Sequence, residues 1–167
     1  MKHVGWMALV LLLAACGIQP TGADDAGQAP TGISSGTTVY FLDSHQDLHA
    51  EVLETGRLGT VSDAMTLLLQ GPGGSGLSTG IASTDVTRVE ATVSDSTILL
   101  KVPLAASEVS RRGIDQMVCT ALASQVQSGG SPRTTVRIGF TIPSASSDRP
   151  RTCPAISPSA ARISPTG

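Results

Sequence analysis

Apolar and polar positions along the chain fall into short blocks with different periods. Val39-Tyr40-Phe41-Leu42 is a run of β-branched and aromatic residues ended by Asp43-Ser44, and it predicts a buried strand. Residues 43–59 are irregular, with Leu48, Val52, Leu53 and Leu58 as scattered inward positions. A faint strand signal over 50–53 does not enter the predicted order. Val61, Ala64, Met65, Leu68 and Leu69 then recur at helical spacing, which predicts a helix over 60–70. Thr60 and Asp63 have capping-box spacing at its start, and Gly71-Pro72 stops it.

Two alternating blocks follow. Over 86–93, Val89, Ala91 and Val93 alternate with Arg88, Glu90 and Thr92. Over 97–102, Ile98, Leu100 and Val102 point one way, and Pro103 closes the strand. A second helix is predicted over 108–127, with Ile114, Met117, Val118, Ala121, Leu122 and Gln125 on its inner face. Gly113 weakens its first turn by about 1 kcal/mol relative to Ala. Val136, Ile138 and Phe140 mark a last strand over 134–141. The predicted fold is α+β, in the order β-α-β-β-α-β. It is a single mixed sheet with both helices packed on one face.

The two ends read differently. Met1-Lys2-His3 precedes an apolar run from Val4 to Ala15, and Cys16 follows. Twelve residues make about 18 Å of helix at ~1.5 Å each, too short to cross a ~30 Å hydrocarbon core. The run has the shape of an export signal. Leu13-Ala14-Ala15-Cys16 resembles the bacterial lipobox, which implies a signal peptide over 1–15 and acylation, palmitate included, on Cys16. Two or three acyl chains anchor a protein firmly. The chain is accordingly expected on the extracytoplasmic face of the cell membrane. Residues 16–36 read as a flexible tether and 143–167 as a Ser/Pro-rich tail, leaving 37–142 as the domain.

Composition narrows the function. Of 167 residues only 14% are charged and 2% aromatic, and formal net charge is −2. Nucleic-acid binding wants a basic surface and stacking aromatics, so nucleic acid is excluded as a partner. Asp43, His45, Asp47 and His49 form a ladder whose His-x-x-x-His spacing would suit a metal on a helix, but here reads as a solvated loop. Gly71 to Ser78 has the outline of a phosphate loop, yet Leu77 holds the lysine position and a helix, not a strand, precedes it. No serine has the Gly-x-Ser-x-Gly setting with an assignable His. Asp63, Asp85 and Asp95 sit at caps or turns, and Arg111-Arg112 reads as a solvated face. No catalytic residue, metal or cofactor is expected.

Cys119 and Cys153 remain after Cys16. An exported chain meets oxidising conditions, so a bond pinning the tail across the domain is expected. The other reading is a buried free Cys119 with an exposed Cys153.

The segments Val39-Tyr40-Phe41-Leu42, Leu67-Leu68-Leu69-Gln70-Gly71-Pro72, Gly76-Leu77-Ser78-Thr79, Leu100-Lys101-Val102-Pro103-Leu104 and Gln116-Met117-Val118-Cys119-Thr120-Ala121 together resemble the GerMN domain of sporulation and spore germination proteins. Gly73-Gly74-Ser75 stands where many members are more acidic, and the chain carries one copy of the domain. The resemblance implies an exported, often lipid-anchored protein of Gram-positive bacteria. It implies a fold like the ring-building motif, no catalytic residues, and contexts of spore formation, germination or partnership with membrane sensor kinases. The expected function is a non-catalytic interaction domain in the cell envelope, binding a protein such as a sensor kinase or another copy of itself. Its contact is expected at the exposed sheet face or at the loop Gly71, Pro72, Gly73, Gly74, Gly76, Leu77 and Thr79. The alternative is a sensor of small ligands or cell-wall fragments, using the cleft beside that loop.

Overall fold

The computed structural model describes residues 36–145 and 147–156. Strand β1 (Gly36–Leu42) forms an antiparallel hairpin with β2 (Leu48–Glu54). Helix α1 (Val61–Gln70) follows, then β3 (Glu90–Val93), β4 (Thr97–Ala105), a 3-10 turn (Ala106–Glu108), α2 (Arg111–Gln127) and β5 (Thr135–Ile142). β3 and β4 are antiparallel, and β4 and β5 are parallel. The α+β class is as expected from the sequence. The expected single sheet is instead two, a hairpin and a three-stranded sheet in the order β3-β4-β5.

Local chemistry sets the ends of α1. Thr60 Oγ1 accepts from the N–H of Asp63 (3.2 Å), and the Asp63 carboxylate accepts from the N–H of Thr60 (2.9 Å). These bonds satisfy two amides at the helix start. The Thr60 N–H and the Thr60 hydroxyl, both donating to the Asp63 carboxylate, hold that carboxyl below its ordinary pKa. At the far end Gly71 takes a positive φ of 83° and its N–H reaches the carbonyl of Leu68 (3.1 Å). Val61, Ala64, Met65 and Leu68 are buried, the face the sequence periodicity named.

The three-stranded sheet has one wet and one dry face. Ile98, Leu100, Val102 and Leu104 of β4 and Val136, Ile138 and Phe140 of β5 are buried in the core cluster with the helices. Lys101, Pro103 and Thr141 are exposed on the opposite face. β4 runs through Pro103, where the sequence predicts its end. β3 begins at Glu90, opposite Lys101, so no β3 amide or carbonyl stands beside Pro103 to miss its N–H. For the same reason the predicted strand over 86–93 pairs only over its second half.

α2 departs most from the sequence reading. Periodicity marked one inner face, but every residue from Gln116 to Ser124 is buried. The helix packs against β1, α1 and β5. Three of its polar side chains bond the edge of β1 that β2 leaves free. Gln127 Oε1 accepts from the N–H of Thr38 (3.2 Å) and Thr120 Oγ1 from the N–H of Tyr40 (3.0 Å). The side-chain amide of Gln116 donates to the carbonyl of Tyr40 (3.0 Å). Further along this edge, Leu42 and Ser78 exchange both backbone bonds (2.9 and 2.8 Å). α2 and Ser78 thus occupy the edge of β1 where a further strand would pair, and the sheets are two.

The fully buried Gln116 also accepts from the N–H of Gly80 (2.7 Å). It therefore ties β1, α2 and the segment after the Gly-rich loop together. Gly80 and Gly113 lie backbone to backbone there. A methyl on Gly113 would run into the Gly80 carbonyl.

The packed structure also extends past residue 142, the end expected for the domain. The chain turns through Ser144 and Ser147 and comes back along the outer edge of β5, where Arg151 and Val136 exchange backbone bonds (2.8 Å each). Cys153 is buried and Ile156 packs against the core.

Gln116→Leu should therefore lower stability by about 2–4 kcal/mol in urea denaturation, since it strands the Tyr40 carbonyl and the Gly80 N–H. Gly113→Ala should lower it by about 1–2 kcal/mol in the same measurement, because the collision outweighs the ~1 kcal/mol that Ala gains at an open helix site.

Candidate functional site

The loop from Gly71 to Thr79 is anchored at both ends and open at its crown. Gly71 caps α1, and Leu77 packs against the core. Ser78 bonds β1, and Gly80 bonds Gln116 and, through its carbonyl, the N–H of Ser110 (2.8 Å). Thr79 Oγ1 lies 3.5 Å from Gln116 Oε1. Between these anchors the chain turns at Pro72. Its carbonyl accepts from the N–H (3.3 Å) and the hydroxyl (2.8 Å) of Ser75. Gly73 and Gly76 hold positive φ of 57° and 78°. Gly73, Gly74, Ser75 and Gly76 are exposed.

The Asp43–His49 ladder is the β1–β2 turn. Asp43 Oδ1 accepts from the N–H of His45 (2.8 Å) and of Asp47 (2.9 Å), which closes the turn and holds the Asp43 carboxyl below its ordinary pKa. Gln46 takes φ 63° at its tip. Among the described residues no three His, Cys, Asp or Glu side chains are grouped to hold a metal ion. The turn lies beside the Gly-rich loop. Gln46 Nε2 reaches Ser78 Oγ at 3.4 Å, and Asp47 pairs with Arg112 at 3.6 Å. Arg112 also lies 3.9 Å from Asp115. The hairpin turn, the loop and the first turn of α2 thus form one polar surface, which sequence spacing alone did not bring together.

The hollows differ in size. The one beside the loop, lined by Leu68 to Gly71, Thr79 and Ile81 to Ser83, holds about 150 Å³. Ligand pockets usually enclose 300–1,000 Å³. A larger, shallow hollow of about 530 Å³ lies on the wet face of the sheet, at Lys101, Pro103, Gly139 and Thr141.

Cys119 and Cys153 are joined, with Cα atoms 4.7 Å apart and a sequence separation of 34. Both are buried. Cys16, the expected lipidation site, lies outside the described residues, as do the expected signal peptide and nearly all of the tether. Among the described residues no helix is long and apolar enough to cross a membrane.

Sequence reasoning missed the roles of Gln127, Thr120 and Gln116 on β1. The available signal was the absence of any charged residue from Gln116 to Pro132. A stretch of helix without charged residues has no side chain that must stay in water.

No protein-family model matches the chain, and no curated protein matches it. Among solved structures the chain is similar to the tandem GerMN domains of the sporulation protein GerM from Bacillus subtilis. The identity is 14% and the TM-score 0.48, over 72% of this chain and 45% of that one. The chain thus spans less than half the length of that structure.

Replacing both Cys119 and Cys153 with Ala should lower stability by about 3–4 kcal/mol, the loop-entropy value for this 34-residue separation. Hydrogen exchange at the Val136 N–H should rise with it, because that amide is bonded to the segment the disulfide retains.

Proposed function

We propose that this chain is an envelope lipoprotein, held at the extracytoplasmic face of the cell membrane by acyl chains on Cys16. Its domain works by binding another protein and not by catalysis. The observation that carries the anchor is Leu13-Ala14-Ala15-Cys16 at the end of an apolar run too short to span a bilayer. Acyl chains contribute ~0.8 kcal/mol per buried CH₂, so two suffice for stable attachment.

The anchored loop supports binding as the activity. Its crown is exposed while both its ends are tied into the core, so a partner meets a surface already ordered. Pre-ordering reduces the entropy lost on association. The polar groups nearest the loop have structural tasks: Asp43 closes a turn, Asp47 pairs with Arg112, and Gln116 bonds two backbone segments. The partner this surface suits is an envelope protein, such as the extracellular part of a sensor kinase or a further copy of the chain. A hollow of about 150 Å³ beside the loop is too small to enclose a cell-wall fragment.

Cys16→Ser should move the protein from the membrane pellet to the soluble fraction and abolish labelling by radioactive palmitate. Retention of both would overturn the anchor. Gly74 has open space around it and no positive φ, so a large side chain fits there without strain. Gly74→Trp should therefore leave the melting temperature within about 2 °C and reduce partner capture from crosslinked membranes at least tenfold. Undiminished capture would remove the loop from the interface.

A further inference from the structure

Four outer strand edges occur among the described residues, and two of them meet bonding partners. The free edge of β1 is bonded by α2 and Ser78. The inner edges of the larger sheet pair with one another, and the outer edge of β5 is bonded to Arg151 at Val136. The outer edge of β3 belongs to a strand of only four residues. β2 is different. It runs seven residues in unbroken register with β1. The Asp43 N–H bond to the Asp47 carbonyl (3.0 Å) sets the phase of the hairpin. His49, Glu51 and Leu53 therefore turn their backbone groups to β1, while Leu48, Ala50 and Val52 turn theirs outward. Among the described residues those outward groups have no hydrogen-bond partner outside the hairpin. β2 carries no Lys, no Pro and no bulge, and its charged residues are Glu51 and Glu54. Val52 is 52% exposed.

We infer that β2 is an interaction edge and that its occupant is β2 of a second copy, paired antiparallel about a two-fold axis through Ala50. The strand is complementary to itself in this register. Leu48 faces Val52 of the second copy, Ala50 faces Ala50, and each of these residues offers an N–H and a C=O to the other chain. His49 faces Glu51 of the second copy in the close, non-hydrogen-bonded position, and the axis repeats the pair. Centring the axis one residue later sets Glu51 against Glu51, and one residue earlier sets Glu51 against Asp47. Charge therefore selects the register centred on Ala50. The hairpins would join into a four-stranded antiparallel sheet across the two copies. This inference deepens the reading of the domain as a protein-binding module by naming one partner. It does not depend on the anchor or on the Gly-rich loop.

The test uses the full chain with Cys16→Ser, which leaves the buried, disulfide-bonded Cys119 and Cys153 as the remaining native cysteines. Ala50→Cys in that background should give a disulfide-linked dimer under mild oxidation. Ser75→Cys, on the exposed crown, should give at least tenfold less. Adding His49→Glu to Ala50→Cys sets Glu against Glu twice and should cut the dimer yield about tenfold. Adding Glu51→Lys to that variant restores opposite charges and should restore the yield, which a general loss of fold would not do. Crosslinking no faster than at Ser75, or no recovery in the charge-swapped variant, overturns the proposal. If such a chain still captures an envelope protein through its loop, the proposed function stands without this edge.

Discussion

The free edge of β1 is the constraint on which the rest of this structure depends. A buried strand with β2 on only one side has a row of amides and carbonyls that cannot be left bare inside a core. A further strand is the usual partner, but here side chains of a helix take that place. Gln116 and Thr120 lie one turn apart on α2 and Gln127 two turns further on, and they meet Thr38 and Tyr40. Those polar residues can sit on a buried helix because each finds a backbone partner. The arrangement fixes α2 along β1, makes the helix central, and leaves the three-stranded sheet to cover another of its sides.

The same bonds position the surface proposed to act. Gln116 takes up the Gly80 N–H, and Ser78 pairs with Leu42, so the descending arm of the Gly-rich loop is bound to the same elements as the edge. The ascending arm is fixed by the capped end of α1. The Gly80–Gly113 contact brings the first turn of α2, and with it Arg112, next to the hairpin turn. Loop, turn and helix start are thus neighbours because one buried glutamine and two glycines require close backbone approach. The disulfide ties the returning segment, which bonds β5 at Val136, to α2.

Periodicity made much of the fold legible. The burial of Val61, Ala64, Met65 and Leu68, the Thr60–Asp63 cap, the Gly71 stop and the alternation in β4 and β5 are local properties, settled within a few residues by geometry and capping chemistry. The strand β2 was faint because Leu48, Glu51 and Leu53 are only partly buried, and a half-covered edge strand gives little alternation. The burial of α2 on every side was not read from its apolar spacing, because Gln116, Thr120 and Ser124 count as polar in any periodic pattern. Gly113 looked like a weak point in a helix, and its reason lies 33 residues away at Gly80.

By itself, then, the sequence determined the α+β class, both helices with the ends of α1 and the C-terminal end of α2, the inward residues of the main strands, and the pairing expected of two cysteines in an oxidising place. Each rests on interactions among near neighbours or on a compartment's chemistry. Only the tertiary structure decided that there are two sheets, that α2 is central, that residues beyond 142 close onto β5, and that the hairpin turn meets the Gly-rich loop. These depend on which distant backbone groups meet a buried polar side chain, and hydrogen bonds between residues 76 to 89 apart leave no period along the chain.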